Sequence, residues 1–337
     1  MTAPAPVATL AMAACAAPSD TCRLALLVTP APYRRNLPRS TVYRTERINP
    51  ADARRSACHH EAENSRRASM DVSVPSELLY DYQGKCWWCG SSADSREHRY
   101  KKSDVVRNFQ TDIWKTGVVR VKSGSSREEY IQGANSRKLK FAKVLCARCN
   151  NERSQVFDRS YDIFAQYLHS EEELIVSAGE VHMRAVFGTD WSERTAEVLK
   201  YFVKHACCRL AEDRVRIPDG VLDFLNDTRP DLPHMSMDMS INLSVRDMTA
   251  HMRDVHGIDG GSLWSGPHQV WLNSTKTAIK SVNSHFGINC YFLGYSCDMQ
   301  SNSGGLALQG DRLAMPSYRP ESLEDVDIRD VCQDCNP

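Results

Sequence analysis

The chain lacks net charge: 42 lysines and arginines balance 42 aspartates and glutamates across 337 residues. A globally basic nucleic-acid binder is thereby excluded, so any attraction for phosphate has to be local. No run approaches the roughly 20 apolar residues of a membrane span. Lysine is absent until Lys85, although residues 1–69 carry ten arginines. That segment is rich in Ala, Pro, Ser, Thr and Arg and has no sustained amphipathic period, so a disordered extension is expected. Its apolar stretch ending near Cys15 has no Lys or Arg before it, which removes the charged end of a secretory signal. The lysine-free composition points instead to upstream sequence read through, with translation starting at Met70. A closed disulfide framework is not expected, because the 13 cysteines are odd in number and unevenly spaced.

Two cysteine pairs do have a pattern. "CWWC" (Cys86, Cys89) and "CARC" (Cys146, Cys149) share the C-x-x-C spacing of a zinc knuckle. Each such turn aims two sulfurs the same way, and two turns brought together supply the four soft ligands of a tetrahedral structural Zn2+. Thiols kept for a metal suit a reducing compartment, so a cytoplasmic protein is expected. A third pair, Cys332 and Cys335, lies in an acidic tail with no partner pair, and Cys290 and Cys297 are poorly spaced to complete a second site.

Around these pairs the pattern predicts an α+β chain. Residues 99–140, with β-prone pieces such as "GVVRVKS", read as strands or an inserted hairpin with loops, and "KFAKVLC" reads as a strand into the second knuckle. A helix begins near Asn150, with Phe157, Tyr161, Phe164 and Leu168 on one face. A longer helix follows, opened by Asp190 and Glu193 at capping-box spacing and striped by Val198, Leu199, Phe202, Val203, Ala206 and Leu210. "PDGVLDFLND" is a short helix. Beyond about residue 237 the apolar runs shorten, and "HQVWLN" and "INCYFLGYS" read as strands. The expected organisation is a disordered 1–69, a zinc module over 70–170, and a helical, then β-rich, domain over 171–337.

The residues "KCWWCGSSADSREHRYKKSD" and "LCARCNNERSQ" resemble the HNH, or ββα-metal, endonucleases with a four-cysteine treble clef. The likeness covers roughly residues 83–160. It implies that Glu97 and Asn150 hold a Mg2+ or Mn2+ ion and that His98 is the general base for hydrolysis of DNA phosphodiester bonds. The chemistry suits the residue types, since an ordinary imidazole titrates near neutral pH and magnesium prefers a few oxygen ligands with several waters retained. Asn151 competes with Asn150 for the metal role. The middle position, commonly Asn in that family, is Phe141 here; Asn135 is nearby but out of register. The alternative is a non-catalytic zinc module that binds nucleic acid or protein.

Between Arg96 and Arg153 fifteen Lys or Arg face six Asp or Glu, a local excess of nine. Lys101, Lys102, Arg148 and Arg153 are the candidates for phosphate contacts, which position a backbone without reading bases. One of Trp87 and Trp88 is expected to pack on the zinc module. His205, with Cys207 and Cys208 beside it, is not expected to form a metal site, because neighbouring side chains point apart.

Overall fold

A computed structural model describes residues 74–109, 119–121, 128–256, 261–300 and 304–319. The expectations for 1–69, for a start at Met70 and for Cys332 and Cys335 lie outside the described residues. Residues Pro30–Ser76 form a separate unit, of which only 74–76 are described; the architecture that follows belongs to the unit continuing from Glu77.

The fold is mixed α+β. The segment 95–99 runs antiparallel to 139–145. Ser95 N–H donates to Leu145 O (2.9 Å), Phe141 N–H to Glu97 O (2.9 Å) and Arg99 N–H to Leu139 O (2.7 Å). The strand expected over "KFAKVLC" is realised only as isolated bridges, Ser95 with Leu145 and His98 with Lys140. A bend at Lys143 breaks the ladder between them. Between the two segments lie helix α1 (Lys102–Asn108) and an antiparallel hairpin of β1 (Val119–Val121) and β2 (Glu128–Tyr130). Past the second knuckle, a π-type turn at Arg148–Arg153 leads into α2 (Gln155–Ser170). Single π turns inside helices are frequent at functional positions.

Then come α3 (Glu172–Ala178), β3 (Glu180–His182), α4 (Met183–Phe187), α5 (Trp191–Glu212) and α6 (Asp219–Leu225). The remainder contributes β4 (Met235–Asn242), α7 (Leu243–His256), β5 (Leu263–Ser265), β6 (Gln269–Leu272), β7 (Ile279–Ile288) and β8 (Tyr291–Asp298), then β9 (Gly305–Leu306), β10 (Leu308–Gln309), β11 (Arg312–Ala314) and β12 (Ser317–Tyr318). The main sheet has the order β12-β4-β8-β7-β5, with β6 also on β7 and β9 also on β4. Its long central pairings, β4 with β8 and β7 with β8, are antiparallel. A small sheet of order β10-β11-β3 shares no strand with it.

Helix α7 falls where only strands were expected. The capping box at Asp190 does not form: its side chain caps nothing, because its backbone (φ −88°, ψ 10°) continues a 3-10 turn instead of the extended geometry a cap needs.

The expected stripe of α5 is buried, with Leu199 at its margin, yet burial does not stop at the stripe. Lys200, Lys204, His205 and Arg209 are buried too. The reason is that α5 is enclosed by three neighbours. Tyr201 stacks on Tyr161 of α2 at 3.8 Å, Phe202 meets Phe286 of β7 at 6.3 Å, and His205 meets Phe141 of the knuckle segment at 5.3 Å. Arg209 donates to the His285 carbonyl (2.8 Å) and the Ser284 hydroxyl (2.9 Å), tying the helix end to the sheet. One apolar core thus runs from Cys86 and Trp87 through α2 and α5 to β8 and Met315. No helix among the described residues is long and apolar enough to cross a membrane.

Candidate metal centre and the charged cluster beside it

The knuckle at "CWWCG" closes because Gly90 takes φ +76°, a left-handed turn position that favours glycine, and its N–H donates to Cys86 O (2.9 Å). The second knuckle is set by Ala147 N–H donating to Asp94 Oδ1 (2.7 Å). The sulfurs of Cys86, Cys89, Cys146 and Cys149 then lie within 4.8 Å of one another. Cys89 Sγ and Cys146 Sγ are 3.5 Å apart. Cys149 N–H points at Cys146 Sγ (3.4 Å) and Arg153 Nη1 lies 3.6 Å from Cys149 Sγ. Burial pushes the Cys86 and Cys149 thiols up. Burial acts the same way on Cys89, but hydrogen bonds from Ser91 and its cysteine neighbours outweigh it and bring that thiol down to about 6. Four converging soft ligands with a donor backbone and a guanidinium nearby can hold a metal ion such as zinc.

Both tryptophans pack on this module. Trp87 and Trp88 are buried and stacked at 5.7 Å. Trp88 Nε1 donates to Asn226 Oδ1 (2.8 Å), and Arg153 lies over the Trp88 ring at 4.7 Å. Arg153 also donates to Asn226 Oδ1 (2.5 Å), so this candidate phosphate contact is engaged inside the module. Lys101 is engaged as well, 2.9 Å from Asp162 and 3.7 Å from Asp158. Lys102 and Arg148 are exposed.

Glu97 and His98 alternate along an extended segment and so address opposite faces. Glu97 faces α5: its Oε2 lies 3.3 Å from Nζ of Lys204, and the two side chains are 13% and 1% exposed. Lys204 Nζ also approaches Ser154 Oγ (3.1 Å) and Asp158 Oδ1 (3.4 Å). Burial raises the Glu97 carboxyl, opposed by Lys204. Burial alone would lower the pKa of Lys204, but the Glu97 and Asp158 carboxylates outweigh it and hold the ammonium above its ordinary pKa.

Asn150 is near this cluster. Its carbonyl accepts from Ser154 Oγ (2.8 Å) and its Nδ2 donates to Ser95 Oγ (2.9 Å). Its Oδ1 is buried with no partner. Asn151 is exposed. Glu97 and Asn150 are thus linked through Ser154 and Lys204. Because an ammonium already sits against the carboxylate, this arrangement does not fit a hard divalent ion.

His98 faces the other way. Burial, then Lys140, Lys102 and Lys204, pull its pKa down to about 4, opposed by a hydrogen bond to the Ala134 backbone. Its Nε2 is buried without a partner. Phe141 lies under the Arg99 guanidinium at 4.7 Å, its carbonyl accepting from Arg96 (3.1 Å). His205 bonds the Arg99 carbonyl through Nε2 (2.6 Å).

Sequence reasoning missed Ser154, Asp158, Lys140 and Lys204. Ser154 and Asp158 follow Asn150 at four-residue steps, a same-face signal that was available. Lys204 had none. No family model, curated protein or solved structure matches this chain.

Proposed function

We propose that residues 70–170 contain a treble-clef, ββα-type module that binds nucleic acid and hydrolyses phosphodiester bonds, with His98 as general base. The observation that supports it is an imidazole with a free Nε2, flanked by two lysines, on the face away from Glu97. A buried acceptor without a partner is rare in folded proteins and calls for an explanation. Burial is the larger cause of the depressed His98 pKa; a phosphate seated between Lys102 and Lys140 offsets the added effect of their charge and to that extent raises its proton affinity. Neutral Nε2 then accepts a proton from the attacking water as the new P–O bond forms and the P–O bond to the leaving 3′ oxygen breaks, that oxygen taking its proton from solvent, while the two ammoniums face the charge that grows on the phosphoryl oxygens. DNA is the partner proposed. Zinc is the ion proposed for the four cysteines, and the cytoplasm the compartment, since thiolates must stay reduced to hold it.

A second reading, a zinc module that binds nucleic acid without cleaving it, is favoured by one observation: Glu97 is committed to Lys204. Cleavage assays separate the two. Wild-type protein and His98→Ala are incubated with plasmid DNA, with and without magnesium. The nuclease reading expects His98→Ala to lose about 100- to 10,000-fold in rate, with DNA affinity and zinc content retained. Binding without cleavage by folded wild-type protein supports the second reading and ends the first.

A further inference from the structure

The Glu97 cluster carries its own cation. An ammonium has three N–H donors and no acceptor. Lys204 Nζ meets three oxygens, Ser154 Oγ at 3.1 Å, Glu97 Oε2 at 3.3 Å and Asp158 Oδ1 at 3.4 Å. The oxygens come from the 95–99 segment and from the start of α2, while the cation comes from α5, whose side chain here is 1% exposed. Asp158 is shared with Lys101, which also pairs with Asp162. Three carboxylates therefore face two ammoniums.

A magnesium or manganese ion asks for something different. It draws oxygens in to about 2.0–2.1 Å, prefers octahedral geometry and keeps several waters. A second cation beside the Glu97 carboxylate would be repelled by the Lys204 ammonium already there and would have to displace it.

We infer that Lys204 is a tethered cation standing in the position of a dissociable divalent ion, so that this chain binds neither Mg2+ nor Mn2+ at Glu97. The phosphodiester chemistry proposed above would then need no free divalent ion at that carboxylate. The inference concerns ion binding and is tested by ion binding, so its failure is distinct from a failure of cleavage.

The experiment titrates Mn2+ into the zinc-loaded full chain and follows loss of the free Mn2+ EPR signal, with thermal unfolding alongside. Wild type and Glu97→Gln are expected to take up Mn2+ identically. Lys204→Ala is expected to take up about one further Mn2+ per chain, with a rise of several degrees in its thermal midpoint, and Lys204→Ala with Glu97→Gln to lose both effects. The inference is overturned if wild type takes up Mn2+ that Glu97→Gln abolishes, or if a folded Lys204→Ala gains none. Should Lys204→Ala not fold, the comparison of wild type with Glu97→Gln decides alone.

Discussion

The cysteine cluster and the Glu97 cluster lie on the same stretch of chain and differ in where their positive charge comes from. At the cysteines, four sulfurs converge within 4.8 Å, and the Arg153 guanidinium lies 3.6 Å from one of them. Such a set can hold an ion from outside. At Glu97, the cation is Lys204, delivered by a helix more than a hundred residues further along. An ion at the first cluster would make local folding depend on metal. The second makes the same segment depend on tertiary packing, because α5 must dock before Glu97 is neutralised.

The largest expected effect falls on the metal side of that contrast. Structural zinc contributes on the order of 10 kcal/mol or more in small modules. Cys146→Ser should therefore lose zinc and expose the knuckle segments to protease. Hydrogen exchange should stay slow in β8, which is held by its pairing with β4 and β7. Unchanged zinc and unchanged proteolysis in this variant would remove the metal centre from the account.

Breaking the tethered side should cost less. Removing one partner of a buried ion pair typically destabilises by about 3–5 kcal/mol, because the other charge is left stranded. Lys204→Met should show a loss of that order in urea unfolding, and adding Glu97→Gln should recover most of it. Losses that simply add would mean that the two charges do not act as a pair.

The smallest effect concerns pH. His205 is fully enclosed, and burial, reinforced by Arg209, lowers its pKa from 6.5 to about 3. The folded state keeps it neutral while the unfolded state takes a proton as pH drops through 6.5. Stability should thus fall with pH between about 6.5 and about 3. His205→Gln should make that fall shallower in acid titrations followed by circular dichroism. An unchanged slope would place the acid sensitivity elsewhere, with the thiolates first in line.

The contrast also sorts what was legible in the sequence. The cysteine cluster was readable because C-x-x-C spacing fixes sulfur direction locally. Phe157, Tyr161, Phe164 and Leu168 were readable because four-residue periodicity needs no distant partner, and all four are buried. Strand β4 was readable but missed: Met235, Met237, Met239 and Ile241 alternate inward. Lys204 was not readable. Its burial depends on Glu97, Ser154 and Asp158, which no local pattern connects to α5. The partners of Lys101 and Arg153 were unreadable for the same reason, since Asp162 and Asn226 reach them only in the folded chain.

Elemental analysis of the purified full chain after dialysis against buffer containing magnesium and manganese tests the contrast most directly. The account predicts about one zinc per chain, lost in Cys146→Ser, and no magnesium or manganese whose retention depends on Glu97. Zinc at trace levels, or a retained divalent ion that Glu97→Gln releases, would contradict it.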